Sequence, residues 1–534
     1  MSVSVCLINP LNRNSFWSCE YNRGIRNNES AFYPLNLATV GNIFHRCGMI
    51  EVCIIDENIE DKIQEAEQSD IIGITGFLNQ KDRIFQIAEY FRNKGKYVII
   101  GGPLASVLPE EVQPRCSTVF VGNCGDTIPL FVEDYYNHNP KNIYSYDPKT
   151  AKTDFVVPRL DLLKMDRYGG AMIQTTIGCS SQCEFCATHL HSGREIKTKP
   201  YSMIIEELRN ILRYKGPTSV FLADDNAYAN KSYFKNLMGI ITSFQKENGY
   251  PFRFSTQITV LIAQDENLLE SMANAGFYSV LIGLETPDID SAREAKKDFN
   301  FSSDIHDAVK TIQTYGISVD SGSILGFDHD TKDSHKNHFE FFQSLNIPLV
   351  GPTMLYAFPK TKLYNRLMNE GRLIEERALI ASGAVQGTSD TAMETNFIPK
   401  SMTMEELING TKMLQEKLYS FKYFGERLVN YLKIPVKINN ELFIHAHAKR
   451  KNKFKIILKT TAFFLIEEFP RSFIIYLKVL YYAWKNKRFF IAFWHMVLYK
   501  QTYTFYMRLS KNRNFSTKYD RIAKYFSRRS KISI

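Results

Sequence analysis

The chain has 534 residues, 44% of them hydrophobic, and a formal net charge of +10. That length exceeds one ordinary domain and predicts two to four, in a globular protein able to bury sizeable cores. No charged segment precedes an apolar run at the start, and no stretch reaches the roughly eighteen apolar residues that span a bilayer, so neither secretion nor a membrane anchor is expected. All nine cysteines fall in the first 186 residues. Six of them (Cys6, Cys19, Cys47, Cys53, Cys116 and Cys124) show no paired framework, which points to a reducing, cytoplasmic setting. Residues 441–534 hold 21 Lys and Arg against 4 Asp and Glu, a net of +17; with +10 overall, residues 1–440 carry −7.

Apolar runs at Ser2–Asn9, Glu51–Ile55, Ile71–Phe77, Tyr97–Ile100 and Thr118–Val121 alternate with helical patterns such as Leu35–Arg46 and Lys81–Asn93. Continuous apolar strands alternating with helices predict an α/β unit with a parallel, doubly wound sheet over 1–140. Such sheets bind ligands at the carboxyl ends of their strands, where Asp56 to Asn58, Gly76 to Gln80, Gly101-Gly102 and Gly122 to Gly125 fall. Residues 141–170 read as a polar, tyrosine-rich linker. A second series follows over 171–360, with strands at Met172–Ile177, Ser219–Leu222, Arg253–Gln257, Ser279–Leu284, Ser318–Leu325 and Val350–Ala357. Helices at Ser202–Tyr214, Asp265–Ala275 and Ser303–Tyr315 lie between them. Six strand–helix repeats are too few for a closed eightfold barrel and predict a partial one. Residues 361–440 read as a mostly helical extension and 441–534 as a basic, aromatic-rich helical tail.

The strongest chemical signal is Cys179, Cys183 and Cys186, spaced C-x₃-C-x₂-C just after the first barrel strand. Three thiolates can hold three irons of a four-iron cluster and leave the fourth open, whereas most closed structural sites use four protein ligands. A zinc loop or a group of buried thiols is the plainer alternative. Polar and close-approach residues recur at the ends of later strands: Asp224-Asp225-Asn226, Gln257, Glu285, and the run from Gly322 through Ile324 to Gly326. Singly, such a carboxylate is more often a helix cap. As a set in register with the cysteine loop, they read as a binding site rather than as caps.

The cysteine spacing resembles the signature of the radical S-adenosylmethionine (SAM) superfamily. Leu-Ala-Asp-Asp-Asn (222–226), Ile-Gly-Leu-Glu-Thr-Pro-Asp (282–288) and Ser-Gly-Ser-Ile-Leu-Gly-Phe-Asp (321–328) resemble the cobalamin-binding-domain enzymes of that superfamily. Ile-Ile-Asp-Glu-Asn (54–58), Ala-Phe-Pro-Lys-Thr-Lys-Leu (357–363), Asn-Phe-Ile-Pro (396–399) and Phe-Lys-Tyr-Phe-Gly-Glu-Arg (421–427) resemble the branch that includes the hopanoid C-2 methylases. The resemblance implies an enzyme with a [4Fe-4S] cluster, SAM and cobalamin, fed electrons by a reduced flavodoxin or ferredoxin. It implies methyl transfer to an unactivated carbon: one SAM methylates cobalamin and a second yields the radical that activates the substrate. Carried over residue by residue, Cys179, Cys183 and Cys186 ligate the cluster. Asp224, Gln257, Glu285, Gly322, Ile324 and Gly326 serve SAM, while Asp56, Asn58, Gly76, Gln80, Gly101 and Gly102 line the cobalamin face. Nothing singles out an acid–base or hydrogen-abstracting residue. Two marks depart from the pattern: Asn58 stands where other members carry a cobalt-binding histidine, and the last N-terminal strand is followed by Val-Gly-Asn-Cys-Gly-Asp without the usual acidic residue.

Lys and Arg interleave with Phe, Tyr, Trp and Ile over 454–510. Three readings follow: an interfacial helix at the inner face of a membrane, an internal cap on the barrel, and, least favoured, a nucleic-acid surface. The leading expectation is a methyltransferase for a hydrophobic, lipid- or isoprenoid-like small molecule. A non-methylating radical cyclisation or carbon–carbon coupling is the alternative. An RNA-modifying methylthiotransferase would need a second cysteine triad, for which Cys6, Cys47 and Cys116 are poorly spaced. A non-catalytic cobalamin or cluster sensor completes the set.

Overall fold

The computed structural model describes residues 3–12, 21, 29–49, 51–147, 155–374, 395–438 and 453–510. Cys19 and the tail residues 441–452 and 511–534 lie outside them. β-Branched runs build the first sheet from β1 (Ser4–Asn9), β2 (Glu51–Asp56), β3 (Ile71–Thr75), β4 (Tyr97–Gly101), β5 (Thr118–Val121) and β6 (Ile143–Ser145). Its order is β2-β1-β3-β4-β5-β6, all parallel, with apolar cores on both faces. The order reverses between β1 and β3, the point at whose carboxyl ends such sheets bind ligands. Strand β6 comes from the stretch expected to be linker; three residues are too few to show a period in sequence.

The second sheet holds β7 (Ala171–Ile173), β10 (Thr218–Leu222), β11 (Phe252–Ile258), β12 (Phe277–Glu285), β13 (Ser318–Leu325) and β14 (Val350–Met354). Neighbours follow chain order and every pair is parallel, so the sheet is an open six-stranded barrel. The expected first strand is split. Beyond Ile173 the chain leaves the sheet, and β8 (Thr176–Ile177) pairs antiparallel with β9 (Lys197–Thr198), bracketing the cysteine loop. The helices expected from Asp265 and Ser303 start one and two residues later, at Glu266 and Ile305, because the aspartate before each is a cap, whereas that expected from Ser202 starts one residue earlier, at Tyr201. Asp265 accepts from Leu268 N at 3.0 Å and Asp304 from Asp307 N at 3.0 Å.

The C-terminal helices include α1 (Met404–Leu418), α2 (Phe421–Lys433), α3 (Lys453–Ile466), α4 (Arg471–Lys485) and α5 (Phe489–Ser510). Their apolar faces share one core with the barrel. The 421–427 motif forms the joint. Tyr499 stacks on Phe424 with centroids 4.0 Å apart, and a side chain at Gly425 would overlap Ile475. The fully buried Arg427 donates to the carbonyls of Ile347 (2.9 Å) and Leu418 (2.7 Å) and to Gln343 Oε1 (2.9 Å), and burial pushes its pKa down to about 10. The 396–399 motif is a second joint: Asn396 donates to Ala357 O (2.8 Å) and accepts from Ala357 N (2.9 Å). For α5 the internal-cap reading holds: His495, Lys500, Gln501 and Thr502 are all buried.

Candidate active site

The cysteine loop is held at its entry, middle and exit. Asp224, 1% exposed, accepts from Thr175 N (2.6 Å), Thr176 N (2.9 Å) and the Thr175 hydroxyl, fixing the turn out of β7. Burial still raises its pKa, to about 6. Gly178 has φ +99°, and a Cβ there would overlap Glu195 O, so only glycine lets β8 turn into Cys179 beneath β9. Cys179 N donates to Gly193 O at 3.2 Å and Glu184 N to Ala295 O at 3.1 Å. Arg366 then binds Glu184, Glu294 and Asp328, each at 2.8 Å, tying the loop to the helix Ile289–Glu294 after β12 and to the turn after β13. Phe185, 5% exposed, packs on Phe327 with centroids 6.2 Å apart.

The three cysteines line one cavity of about 520 Å³ that runs down the barrel interior. Gln257, Glu285, Gly322 and Ile324 line the same cavity, with Ile324 packed in one cluster with Cys183 and Cys186. Glu285 has φ +64°, an uncommon backbone state for a side chain of its size and one that clusters at functional sites. Its carboxylate lies over two glycines: a Cβ at Gly283 would overlap Glu285 Oε1, and one at Gly322 would approach Oε2 to 2.8 Å. Lys297 donates to Glu285 Oε1 (2.8 Å) and to Gly283 O (2.9 Å). Burial opposes the ammonium charge, but Glu285 and the thiols of Cys183 and Cys186 outweigh it, so its pKa lies above the ordinary lysine value. Burial pushes the Cys183 thiol up to about 11 and raises Cys186 as well, the Lys297 charge acting against both shifts.

Among the described residues, no three His, Cys, Asp or Glu side chains converge as they would on a single metal ion. A cubic cluster instead needs thiols held apart at separate corners, and three thiols opening onto one cavity fit it. Beyond the thiols the cavity continues past Ser279 and Asp320 to α5, where Trp494, Leu498 and Gln501 close it. Tyr356 and Phe358, just after β14, form an aromatic wall at the other end.

Two barrel residues are placed differently from the sequence expectation. Asp224 does not line the cavity, being hydrogen-bonded to Thr175 and Thr176, whereas its neighbour Asp225 does. Gly326 also lies outside it: its φ is +116°, its N donates to Asp330 Oδ2 (2.8 Å), and its Cα faces Leu407 of α1. Lys297, Asn300 and Arg366 escaped the sequence reading. No local signal marks them, since each reaches the site through tertiary contact; Asn300 Nδ2, for example, donates to Gly283 O at 3.0 Å.

The carboxyl edge of the first sheet faces the cysteine hairpin. Lys197 on β9 donates to Tyr146 OH (3.0 Å), Lys360 lies 3.9 Å from Glu110, and the helix Pro103–Val107 abuts Thr188–His191. On that edge, Asp56 is turned inwards at 2% exposure, accepting from Asn9 Nδ2 (3.0 Å), Asn58 N (3.0 Å), Asn58 Nδ2 (2.8 Å) and Tyr168 OH (2.9 Å). Gln80 is turned inwards too, donating to Pro10 O (2.6 Å) and accepting from Phe77 N (2.9 Å). Asn58 accepts from Asn12 N at 2.9 Å. These three shape the loop after β1 rather than offering free side chains to a ligand. Gly76, Gly101 and Gly102 keep the edge low; Gly102 has φ +89°, and a Cβ there would overlap Thr75.

Three thiols and a strand-end carboxylate sharing the cavity of an open parallel barrel point to the radical SAM class. Residues 173–342 match the Radical SAM superfamily, and residues 361–514 match a domain of unknown function (DUF4070). The chain is 32% identical over 406 residues to an uncharacterized methyltransferase of Synechocystis sp., covering 76% of this chain and 74% of that protein. It is 31% identical over 330 residues to the hopanoid C-2 methylase of Rhodopseudomonas palustris, covering 61% of this chain and 62% of that one. The fold is similar to that of the cobalamin-dependent SAM radical enzyme OxsB with aqua-cobalamin bound, with a TM-score of 0.63 and 14% identity over 99% of this chain and 84% of that one. The chain belongs to the same family as the Synechocystis methyltransferase, with a radical SAM domain at residues 173–342.

Proposed function

We propose that the protein methylates an unactivated carbon of a hydrophobic, lipid- or isoprenoid-like small molecule, using a [4Fe-4S] cluster, SAM and cobalamin. The observation that carries this reading is the single cavity in which Cys179, Cys183, Cys186, Gln257, Glu285 and Gly322 meet, set against the carboxyl edge of the first sheet. The three cysteines would hold the cluster. Glu285, held by Lys297, would accept from ligand hydroxyls, and Gly322, with no side chain, would admit a flat ring against the backbone. Gly76, Gly101 and Gly102 would let the corrin approach the first sheet, with Asp56, Asn58 and Gln80 holding the loops beneath it. When bound, these groups supply radical generation and a transferable methyl group; the protein binds, orients and excludes water.

The substrate class is supported by the likeness to the hopanoid C-2 methylase and by the aromatic lining of Tyr356 and Phe358. A reduced flavodoxin or ferredoxin is proposed as electron donor. Anaerobic assay with a lipid extract and methyl-labelled SAM tests the reading: label should enter an apolar product only when cobalamin is present. Label-free lipids with continued SAM cleavage would favour a non-methylating radical reaction instead.

A further inference from the structure

We propose that helix α4, with the turn before it and the outer edge of α3, seats the protein on the surface of an anionic bilayer. This rests on one exposed face and is independent of the methyl-transfer reading. Eighteen large hydrophobic residues are exposed among the described residues, and nine of them fall between Ile457 and Phe489. Such concentration is what separates an interaction patch from scattered surface apolar groups. On α4, Ile474, Leu477, Tyr481 and Trp484 are 50%, 48%, 52% and 66% exposed. Their spacing of three, four and three residues draws a single stripe along the helix. Phe469, 61% exposed in the turn before α4, and Leu458 and Leu465 on α3 extend it.

Charge identifies the occupant. Arg471, Lys478 and Lys485 recur every seven residues, so they form a row along one flank of the stripe. All three are exposed, as are Lys455 and Lys487, and none makes an ion pair among the described residues. The exposed acidic residue of this helix pair is Glu468. Cations beside a leucine and aromatic stripe suit the headgroup–acyl boundary of an anionic bilayer, where Trp and Tyr are favoured. A two-fold pairing of this stripe with a second copy would bring two cation rows together. A nucleic acid would leave the apolar stripe without a partner, since its affinity comes from phosphates. The remaining helix of the tail, α5, is buried against the barrel, so α4 can meet a membrane while α5 still closes the cavity.

The test is flotation of the anaerobically reconstituted full-length protein with phosphatidylcholine vesicles and with phosphatidylcholine–phosphatidylglycerol vesicles. Wild type should float with the anionic vesicles and at least about tenfold less with the neutral ones. L477D/W484D should lose at least about tenfold in binding to both. R471Q/K478Q/K485Q should lose about fivefold per cation on the anionic vesicles alone, an effect that high salt should mimic. Because all five side chains are exposed, melting temperature and cluster absorbance should match wild type. Wild-type protein that stays with neither vesicle, or that floats equally well as L477D/W484D, overturns the proposal. So does a wild-type dimer without vesicle binding that L477D/W484D dissolves, or retention on RNA in place of vesicles.

Discussion

The barrel and the first sheet adjoin at the cysteine hairpin but are built differently. The barrel presents reactive side chains to its cavity: three thiols, the Glu285–Lys297 pair and Asp225. The first sheet keeps its polar side chains for itself, with Asp56 and Gln80 hydrogen-bonded inwards, and offers glycine backbone at its edge. A small ligand held by a few polar contacts needs the first arrangement, and a large planar one approaching an edge needs the second. Ligand binding should therefore depend on polar side chains in the barrel and on backbone clearance at the sheet edge.

The largest effect is expected at the cluster. Cys183→Ala should abolish iron–sulfur absorbance and SAM cleavage while corrin binding persists; loss of corrin binding as well would mean the two regions do not act separately. Glu285→Gln strands the Lys297 charge, and breaking such a buried pair costs about 3 kcal/mol of stability. It should also weaken SAM binding about tenfold or more by equilibrium dialysis, as expected for loss of a charge-assisted contact.

Asp330 sharpens the picture of the barrel rim. It is 1% exposed, and burial pushes its pKa up to about 7 despite bonds from Gly326 N and Phe327 N. The fold favours its protonated form, so its contribution is full below the ordinary aspartate range and is lost as pH rises towards 7. Asp330→Asn should flatten that decline in melting temperature between about pH 4 and pH 7 and leave the protein more stable above it. An unchanged slope would place the titration elsewhere.

On the first sheet, Gly102→Ala forces a side chain into a positive-φ position against Thr75, a strain of about 1–2 kcal/mol. It should lower corrin affinity several-fold with cluster content intact. The smallest effect is expected for Asp56→Asn. With Asp56 turned away from the edge, corrin affinity should stay within about twofold while stability drops by about 1–3 kcal/mol. A large loss of corrin binding there would restore Asp56 to the ligand face.

The sequence made the parallel sheets and the cysteine loop legible because each is contiguous and periodic. Glu285 and Gly322 were legible for the same reason, as ends of strongly apolar strands. Asp224 and Asp225 show where that legibility stops. Adjacent residues at a strand exit point to opposite sides, and the turn that decides which one enters the cavity is set by Thr175 and Thr176, almost fifty residues away. Lys297 and Arg366 are further cases, since their partners come from other strands and loops. The basic tail was read as one feature but is two: α5 is buried closure, whereas α4 carries an exposed apolar stripe. Composition alone cannot separate them, because buried and exposed aromatic residues look alike in sequence.

If cluster, SAM and cobalamin work together between barrel and sheet, the two SAM-derived products must both depend on the assembled protein. Product analysis of the reconstituted, reduced protein with SAM, with and without cobalamin, tests it most directly. Both S-adenosylhomocysteine and 5′-deoxyadenosine should form when cobalamin is present, and the former should disappear when cobalamin is omitted. Formation of 5′-deoxyadenosine with no S-adenosylhomocysteine in the presence of bound cobalamin would contradict it.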